Sequence, residues 1–181
     1  MSSYYYLMAQ LPTLMPDTSA GISYTSFMAT AANFLSQKDM RILENISLEP
    51  PRIPEKTGSD VVDQWYKKER ALRLSLERIR SSKLKREISF DPDDESRIGD
   101  AFDTVQIAKT AAGYDDPLEA EQYLYRTRFA FVEQLAWNRF FNSEAVFAYC
   151  LMLLLHERSD SFTVEAGRAS YSTIYNQILG E

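Results

Sequence analysis

Apolar residues between Asp116 and Arg158 recur at helical spacing and predict two helices packed against each other. The first has a strong start, because Asp116 supplies an N-cap acceptor, Pro117 suits the first helical position and Glu119 follows three residues after the cap. Its apolar residues form two stripes, one of Leu118, Tyr125, Phe129, Val132, Ala136 and Phe140 and the other of Leu124, Phe131 and Leu135. A helix with two apolar stripes needs two packing partners. The charged ridge between the stripes, which we interpret as a solvated or salt-bridged seam, consists of Glu121, Arg128 and Arg139.

The second helix of this pair is uncharged from Ala145 to Leu155 and should be buried on all sides. Ser143 is its expected N-cap, and the charged run from His156 to Arg158 marks its end. A membrane span needs roughly 20 apolar residues, and this run is about half as long, so we expect a core helix rather than a bilayer span. The two helices should form an antiparallel hairpin. The side chains expected to be buried in it include Phe129, Leu135, Phe147, Leu151 and Leu154.

A heptad seam after Ser59 and Asp60 predicts another long helix. Its positions recur at alternating spacings of three and four and comprise Val62, Trp65, Glu69, Leu72, Leu76 and Ile79. Packing inside one bundle explains this seam better than an intermolecular coiled coil does. Glu69 is the single polar interruption, and it is either exposed at the seam edge or buried with a basic partner, such as Arg73 or an arginine of another helix.

The N-terminal segment from Tyr4 to Leu11 is rich in tyrosine and is stopped by Pro12. We interpret it as a short extended segment, because aromatic residues favour β structure, and an aromatic-rich first helical turn is the alternative. Without basic residues nearby, the tyrosines are expected to pack on the core with their hydroxyls at its rim.

The rest of the chain predicts shorter helices separated by breaks. A rigid proline-rich connector is expected at residues 50–54. Four shorter helices are expected: residues 24–35, a stretch after Ser36, one that begins at Asp91-Pro92 and is closed by Gly113, and one from the cap at Thr163 to Gly180. Together these patterns predict a mainly α fold, a single-domain bundle of five or six principal helices over residues 1–181.

Composition and charge exclude several protein classes. With 181 residues, of which 45% are hydrophobic and 13% aromatic, the chain can bury a sizeable core and is not disordered as a whole. The net charge of −6 argues against a dedicated nucleic-acid binder. One cysteine permits no internal disulfide and suggests a reducing compartment. The first residues lack a basic stretch followed by a long apolar run, so we expect no signal peptide and a cytoplasmic location.

Charge is segregated along the chain. Residues 67–86 contain nine Lys or Arg and two Glu, a local balance of +7, so the remainder of the chain carries −13. One interpretation is a docking face for an acidic partner, whose binding would be sensitive to salt. The alternatives are an ordinary solvated helix face and internal neutralisation, in which Asp91, Asp93, Asp94 and Glu95 fold back onto this basic stretch.

Residue patterns that would indicate catalysis are missing from the sequence. Cys150 and His156 are the only residues of their kinds, and six positions apart on one helix they point in different directions. They cannot form a zinc set in typical spacing, and the six glycines are scattered singly, without a phosphate-binding loop. A calcium loop at Asp91 would have Ser96 where glycine is needed and Phe102 where the bidentate glutamate belongs. We therefore expect no enzyme, no cofactor and no metal.

Three stretches of the chain resemble a known family. They are residues 4–12 (YYYLMAQLP), residues 65–73 (WYKKERALR) with Ile79-Arg80, and residues 117–121 (PLEAE) followed by Phe141 and Ala148-Tyr149. These stretches are similar to small bacterial proteins encoded among the genes of V/A-type ATPases. Those proteins are in turn loosely similar to the C (d) subunit, the helical socket that joins the rotor shaft to the membrane ring. That subunit is much longer, and its repeated Glu-x-x-Asn-Leu-Arg signature has only a degenerate counterpart at residues 69–73.

The resemblance implies a non-enzymatic helical subunit or accessory of a V/A-type rotary ATPase. Its partners would be ATPase subunits of the central stalk or membrane ring, reached from the cytoplasm at the inner membrane, with no direct membrane span. The alternative is a stand-alone helical adaptor or regulatory protein, or an enzyme with a carboxylate-lined pocket that sequence does not reveal. The candidate docking residues are Arg73, Arg78, Arg80, Lys83, Lys85 and Arg86 on the basic helix, and Tyr4, Tyr5 and Tyr6.

Overall fold

The computed structural model describes residues 3–86, 93, 102–162 and 173–175, and seven helices can be traced through them. Their bounds are α1 Ser3–Gln10, α2 Tyr24–Ala31, α3 Gln37–Glu44, α4 Asp60–Lys83, α5 Phe102–Ala112, α6 Pro117–Ala136 and α7 Ser143–Asp160. None of the described residues lies in a β-strand. The predicted mainly α class is therefore confirmed.

Polar side chains fix where several helices begin, and those at Ser36, Ser59 and Asp116 stand at predicted positions. The Ser59 hydroxyl accepts from the Val62 amide at 3.2 Å at the start of α4, and the Asp116 carboxylate accepts from the Leu118 amide at 2.8 Å at the start of α6. Each of these side chains satisfies a backbone donor that has no partner within its helix. The same arrangement occurs at Ser23, Ser36 and Asn142.

Helix α7 is the centre of the main hydrophobic core, as its uncharged sequence predicts. All side chains from Ala145 to Leu155 are buried except Met152 and Leu154, which are half-buried. Helices α1, α2 and α3 contact α7, as do α6 and the first half of α4. The buried residues that these helices contribute include Leu7, Phe27, Leu43, Trp65 and Phe129.

A second, smaller apolar cluster joins α4, α5 and α6. It contains Leu72 and Leu76 of α4, Ala108 and Ala111 of α5, and Leu124 of α6. The heptad seam of α4 therefore packs inside the chain, with its first part in the main core and its second part in this cluster. Helices α6 and α7 are antiparallel, because contacts near residue 121 of α6 involve residue 158 of α7 and the connection between them is short.

The extended segment expected at Tyr4 to Leu11 is wrong, because residues 3–10 form helix α1. The physical reason is that an isolated strand needs a neighbouring strand to satisfy its backbone groups, and the described residues offer none, whereas a helix satisfies most of them internally. Leu7 is fully buried against the core and holds this helix in place.

Three helix ends differ from expectation. Helix α6 ends at Ala136, so Phe140 does not continue its apolar face but lies exposed in the connection to α7. The cap of α7 is Asn142 rather than Ser143, and its side chain accepts from the Ala145 amide at 3.1 Å. Helix α2 also stops early, at Ala31 instead of residue 35.

Several expectations fall outside the described residues. These are the helix start at Asp91-Pro92, the helix from Thr163 to Gly180 apart from residues 173–175, and the fold-back of the acidic stretch around Asp91 to Glu95 onto the basic helix. In the parts of the chain that are described, no helix is both long enough and apolar enough to cross a bilayer.

Candidate protein-interaction surfaces

Glu69, the polar interruption of the α4 seam, is buried and paired with two arginines. Its side chain is 2% exposed, and its carboxylate accepts two hydrogen bonds from Arg128 of α6, at 2.8 Å from Nε and 2.9 Å from Nη2. Arg73, one turn further along α4, donates to the same carboxylate at 2.8 Å. Of the two roles considered for Glu69, the buried and partnered one is therefore confirmed.

The charged ridge on α6 divides into two separate ion-pair groups. Arg128 also lies 3.8 Å from Glu121, which pairs with Arg158 of α7 at 3.0 Å. Arg139 lies beyond the end of α6 and pairs instead with Asp60 and Glu144 at the start of α4 and α7. The ridge is salt-bridged, as one of the two interpretations held, and its groups fasten α4 to α6 and α7.

Five arginines converge on a cleft of about 660 Å³ next to this network. They are Arg73, Arg80, Arg86, Arg128 and Arg158. Arg73, Arg128 and Arg158 are each paired with a glutamate. Among the described lining residues, Glu49, Glu77 and Glu121 balance three of these five positive charges.

The candidate docking residues on the basic helix differ in exposure and in partners. Arg73 is bound by Glu69 and also approaches Glu49, and Lys83 donates to the backbone carbonyl of Ala112. Arg73 is half-buried, whereas the side chains of Arg78, Arg80, Lys83, Lys85 and Arg86 are exposed. Among the described residues, Arg80, Lys85 and Arg86 have no ion-pair partner. The candidate docking residues without an ion-pair partner therefore lie at the C-terminal end of α4.

That end of α4 has an unusual backbone. Lys85 adopts a left-handed conformation with φ of 51°. Its amide donates to the Ser82 carbonyl and the Arg86 amide donates to the Ser81 carbonyl, at 3.2 and 3.0 Å. This pair of bonds is the Schellman arrangement, which usually has glycine at the left-handed position.

The three N-terminal tyrosines do not share one environment. Tyr4 is half-buried, packs on the main core and donates its hydroxyl to Asp39. Burial and this hydrogen bond raise the pKa of Tyr4. Tyr5 and Tyr6 are exposed, at 47% and 50%, and the ring of Tyr5 lies 5.0 Å from that of Phe141, centroid to centroid.

Tyr5 and Tyr6, both candidate docking residues, belong to an exposed aromatic surface whose other members sequence reasoning missed. Its other members are Trp137, Phe140 and Phe141 in the connection between α6 and α7. Trp137 is 73% exposed, and Phe140 is 59% exposed. Asn138, in the left-handed conformation with φ of 65°, turns the chain out of α6 at this point. Asn138 and the Asn142-Ser143 pair are the sequence signals that could have placed the end of α6 before Phe140.

The residues with potential chemistry lie apart from one another. Cys150 is fully buried, and burial raises the pKa of its thiol. His156 is buried beside Phe129 and Tyr125, with Nδ1 3.2 Å from the Tyr125 hydroxyl, and burial lowers the pKa of its imidazole. The Tyr125 hydroxyl donates to the Pro16 carbonyl at 2.8 Å, which makes this group a link between α6, α7 and the loop after α1. In the described part of the chain, no set of three or more His, Cys, Asp or Glu residues could hold a metal ion.

No family model matches the sequence, and comparisons with curated proteins and with solved structures find no match either. The resemblance to the proteins encoded with V/A-type ATPase genes therefore stays a prediction.

Proposed function

We propose that this protein is a non-enzymatic helical subunit or accessory of a V/A-type rotary ATPase that acts through contacts with other proteins near the central stalk. The observation that supports an interaction role best is the exposed aromatic surface of Tyr5, Tyr6, Trp137, Phe140 and Phe141. The choice of the ATPase as partner comes from the sequence resemblance.

The aromatic surface has the composition of a binding site. Aromatic side chains are enriched at the centres of protein interfaces, where a few of them provide most of the binding energy. Burying one side chain of this size contributes roughly 1.5–3 kcal/mol. Five such residues close together on the surface would be an unfavourable arrangement in water unless a partner covered them.

The basic end of α4 is the second contact surface in this proposal. Arg80 and Lys85 are exposed and have no ion-pair partner among the described residues, so they can steer an acidic partner. Such steering weakens with salt, because the Debye length falls from about 10 Å at 0.1 M to about 3 Å at 1 M. Association should therefore be slower and weaker in 1 M salt.

Co-purification from native membranes tests the proposal. The tagged wild-type protein should retain identified ATPase subunits, and the double variant Tyr5→Ser/Phe141→Ser should retain at least tenfold less. Both rings are exposed, so this variant should fold, as circular dichroism can verify. A control is Ile53→Ser, which removes an exposed apolar side chain away from both contact surfaces.

Equal loss in the aromatic variant and its control would contradict an interaction role for the aromatic surface. Capture of identified proteins unrelated to the ATPase, with no ATPase subunit, would favour the stand-alone adaptor instead. The charge variant Arg80→Glu/Lys85→Glu should fold and bind less at 0.1 M salt. Unchanged binding by this variant at both 0.1 M and 1 M salt would exclude the basic end of α4 as a contact.

A further inference from the structure

An apolar groove of about 650 Å³ lies beside the aromatic surface, between α1 with its following loop on one side and the end of α6 on the other. Met8, Leu11 and Leu14 line it from the N-terminal side, and Trp137 and Phe140 line it from the other. We infer that this groove binds an amphipathic helix of a protein partner, which places a Lys or Arg next to Glu133 at the rim. The inference rests on the proposed function, because it describes how the partner is held.

The groove is formed in advance of binding. Tyr149 of α7 lies at its base and donates its hydroxyl to the Pro12 carbonyl at 3.0 Å, which ties the loop after α1 to the central helix. Burial raises the pKa of Tyr149 to about 12, so the hydroxyl keeps its proton at neutral pH. Gly21, whose backbone is left-handed with φ of 68°, brings the segment before α2 next to Pro12. A wall that is already ordered loses little conformational entropy when a partner binds.

The lining determines what kind of partner fits. Extended peptides commonly bind by adding a strand to a sheet edge, and the described residues contain no strand. Helices bind to apolar grooves through large side chains at positions i, i+3, i+4 and i+7, which cover one face of the helix. A groove bounded by helices and lined by Met, Leu, Trp and Phe side chains suits such a face.

The charge at the rim gives the partner helix a further requirement. Among the described residues of the lining, Glu133 is the only charged one; it is exposed and forms no ion pair with another of them. A basic residue next to the apolar face of the partner would complement it. A second copy of this chain fits less well, because a twofold axis near the rim would bring Glu133 towards its own equivalent.

A displayed peptide library gives a direct test with purified protein. The library consists of 18-residue peptides with apolar residues fixed at helical i, i+3, i+4 and i+7 positions and with all other positions random. Selection on the wild-type protein should enrich peptides with Lys or Arg beside the apolar face. When one enriched peptide is synthesised and added, the emission of Trp137 should shift to shorter wavelength, since Trp137 is exposed and the other tryptophan, Trp65, is already buried.

Charge reversal separates the rim contact from general electrostatics. Glu133→Lys should weaken binding of the basic peptide about two- to fivefold, the range measured for exposed ion pairs, and should restore binding to a peptide with Glu at the same position. Glu77→Lys, which makes the same charge change at an exposed position on α4, should leave binding unchanged. The inference is overturned if the two variants behave alike, if Trp137 emission does not respond, or if proline-rich peptides are enriched from a parallel library instead.

The failure of this inference can be told apart from that of the proposed function. Peptide binding is measured without any ATPase, so a positive result together with no ATPase subunits from native membranes would refute only the rotary-ATPase assignment. Retention of ATPase subunits without binding of any helical peptide would refute only the inference that the groove binds a partner helix. Sedimentation that shows a dimer dissociated by Trp137→Ser would identify a second copy as the occupant and overturn the partner-helix assignment.

Discussion

Replacement of Glu69 by leucine tests whether the buried ion pair holds α4 to α6. The substitution leaves the Arg128 guanidinium, whose side chain is only 10% exposed, with Glu121 at 3.8 Å as its remaining acid. Removing one partner of a buried pair typically destabilises a protein by about 3–5 kcal/mol, because the other charge stays buried. We expect a loss near the lower value, about 3 kcal/mol, since Arg128 also lines an open cleft and can gain some hydration.

Companion variants determine which interaction is responsible. Arg73→Met should cost less than about 1 kcal/mol, because the Arg73 side chain is 38% exposed and its pairing is screened by water. The double substitution Glu69→Leu/Arg128→Met removes both buried charges and should recover most of the loss, since apolar replacement of a buried pair is often neutral or stabilising. Urea unfolding followed by circular dichroism gives the free energy of unfolding of each variant, provided that the slope of this free energy against urea concentration is the same for all variants.

A neutral or stabilising effect of Glu69→Leu would refute this reasoning, because it would mean that Arg128 needs no buried partner. A double variant as unstable as the single one would also contradict it. In that case the destabilisation would come from packing of the leucine and not from an unpaired charge.

Three further predictions concern other parts of the molecule. Leu151→Asp puts a charge at a fully buried position of α7 and should abolish the cooperative urea transition, whereas Ser159→Asp, half-exposed on the same helix, should not. Lys85→Gly should raise the free energy of unfolding by about 0.5–1 kcal/mol, because glycine adopts the left-handed conformation without strain; a lower urea midpoint would count against it. Burial lowers the pKa of His156 in the folded protein below its value of about 6.5 in the unfolded chain. The stabilisation that buried neutral His156 provides is therefore complete above about pH 6.5 and decreases as the pH falls below that value. The urea midpoint of the wild type should therefore fall more between pH 7.5 and pH 5.5 than the midpoint of His156→Leu does. Equal falls of the two midpoints would show that His156 does not contribute to the pH dependence.

The helices were predictable where local chemistry determines them. Ser59 and Asp116 cap α4 and α6 as the sequence indicates, and the uncharged run of α7 is buried as expected except at Met152 and Leu154, which are half-buried. These features depend on residues a few positions apart. The partner of Glu69 was not predictable, because Arg128 is 59 positions away and several arginines on other helices satisfy the same pattern.

The interaction surfaces were only partly predictable for a related reason. Charge segregation indicated a basic face, but pairing of Arg73 with Glu69 and contact of Lys83 with Ala112 reduce it to the end of α4. Tyr5 was expected at a contact surface, yet Phe140 was placed in the core because periodicity does not show where a helix stops. Exposure of an aromatic residue depends on the three-dimensional course of the chain, which hydrophobic pattern alone does not give.

The central position of α7 has a consequence for biosynthesis. Helices α1 to α3 are complete by residue 44, but they pack on a helix that begins only at residue 143. At translation rates of about 5–20 residues per second, roughly 5–20 s pass between the synthesis of residue 44 and that of residue 143. During this time Leu7, Phe27 and Leu43 lack their final contacts. We therefore expect α1 to α3 of stalled nascent chains to be cleaved readily by protease until α7 has emerged, and protection before that point would show that they fold without it. During this interval, these apolar side chains would be accessible to a chaperone.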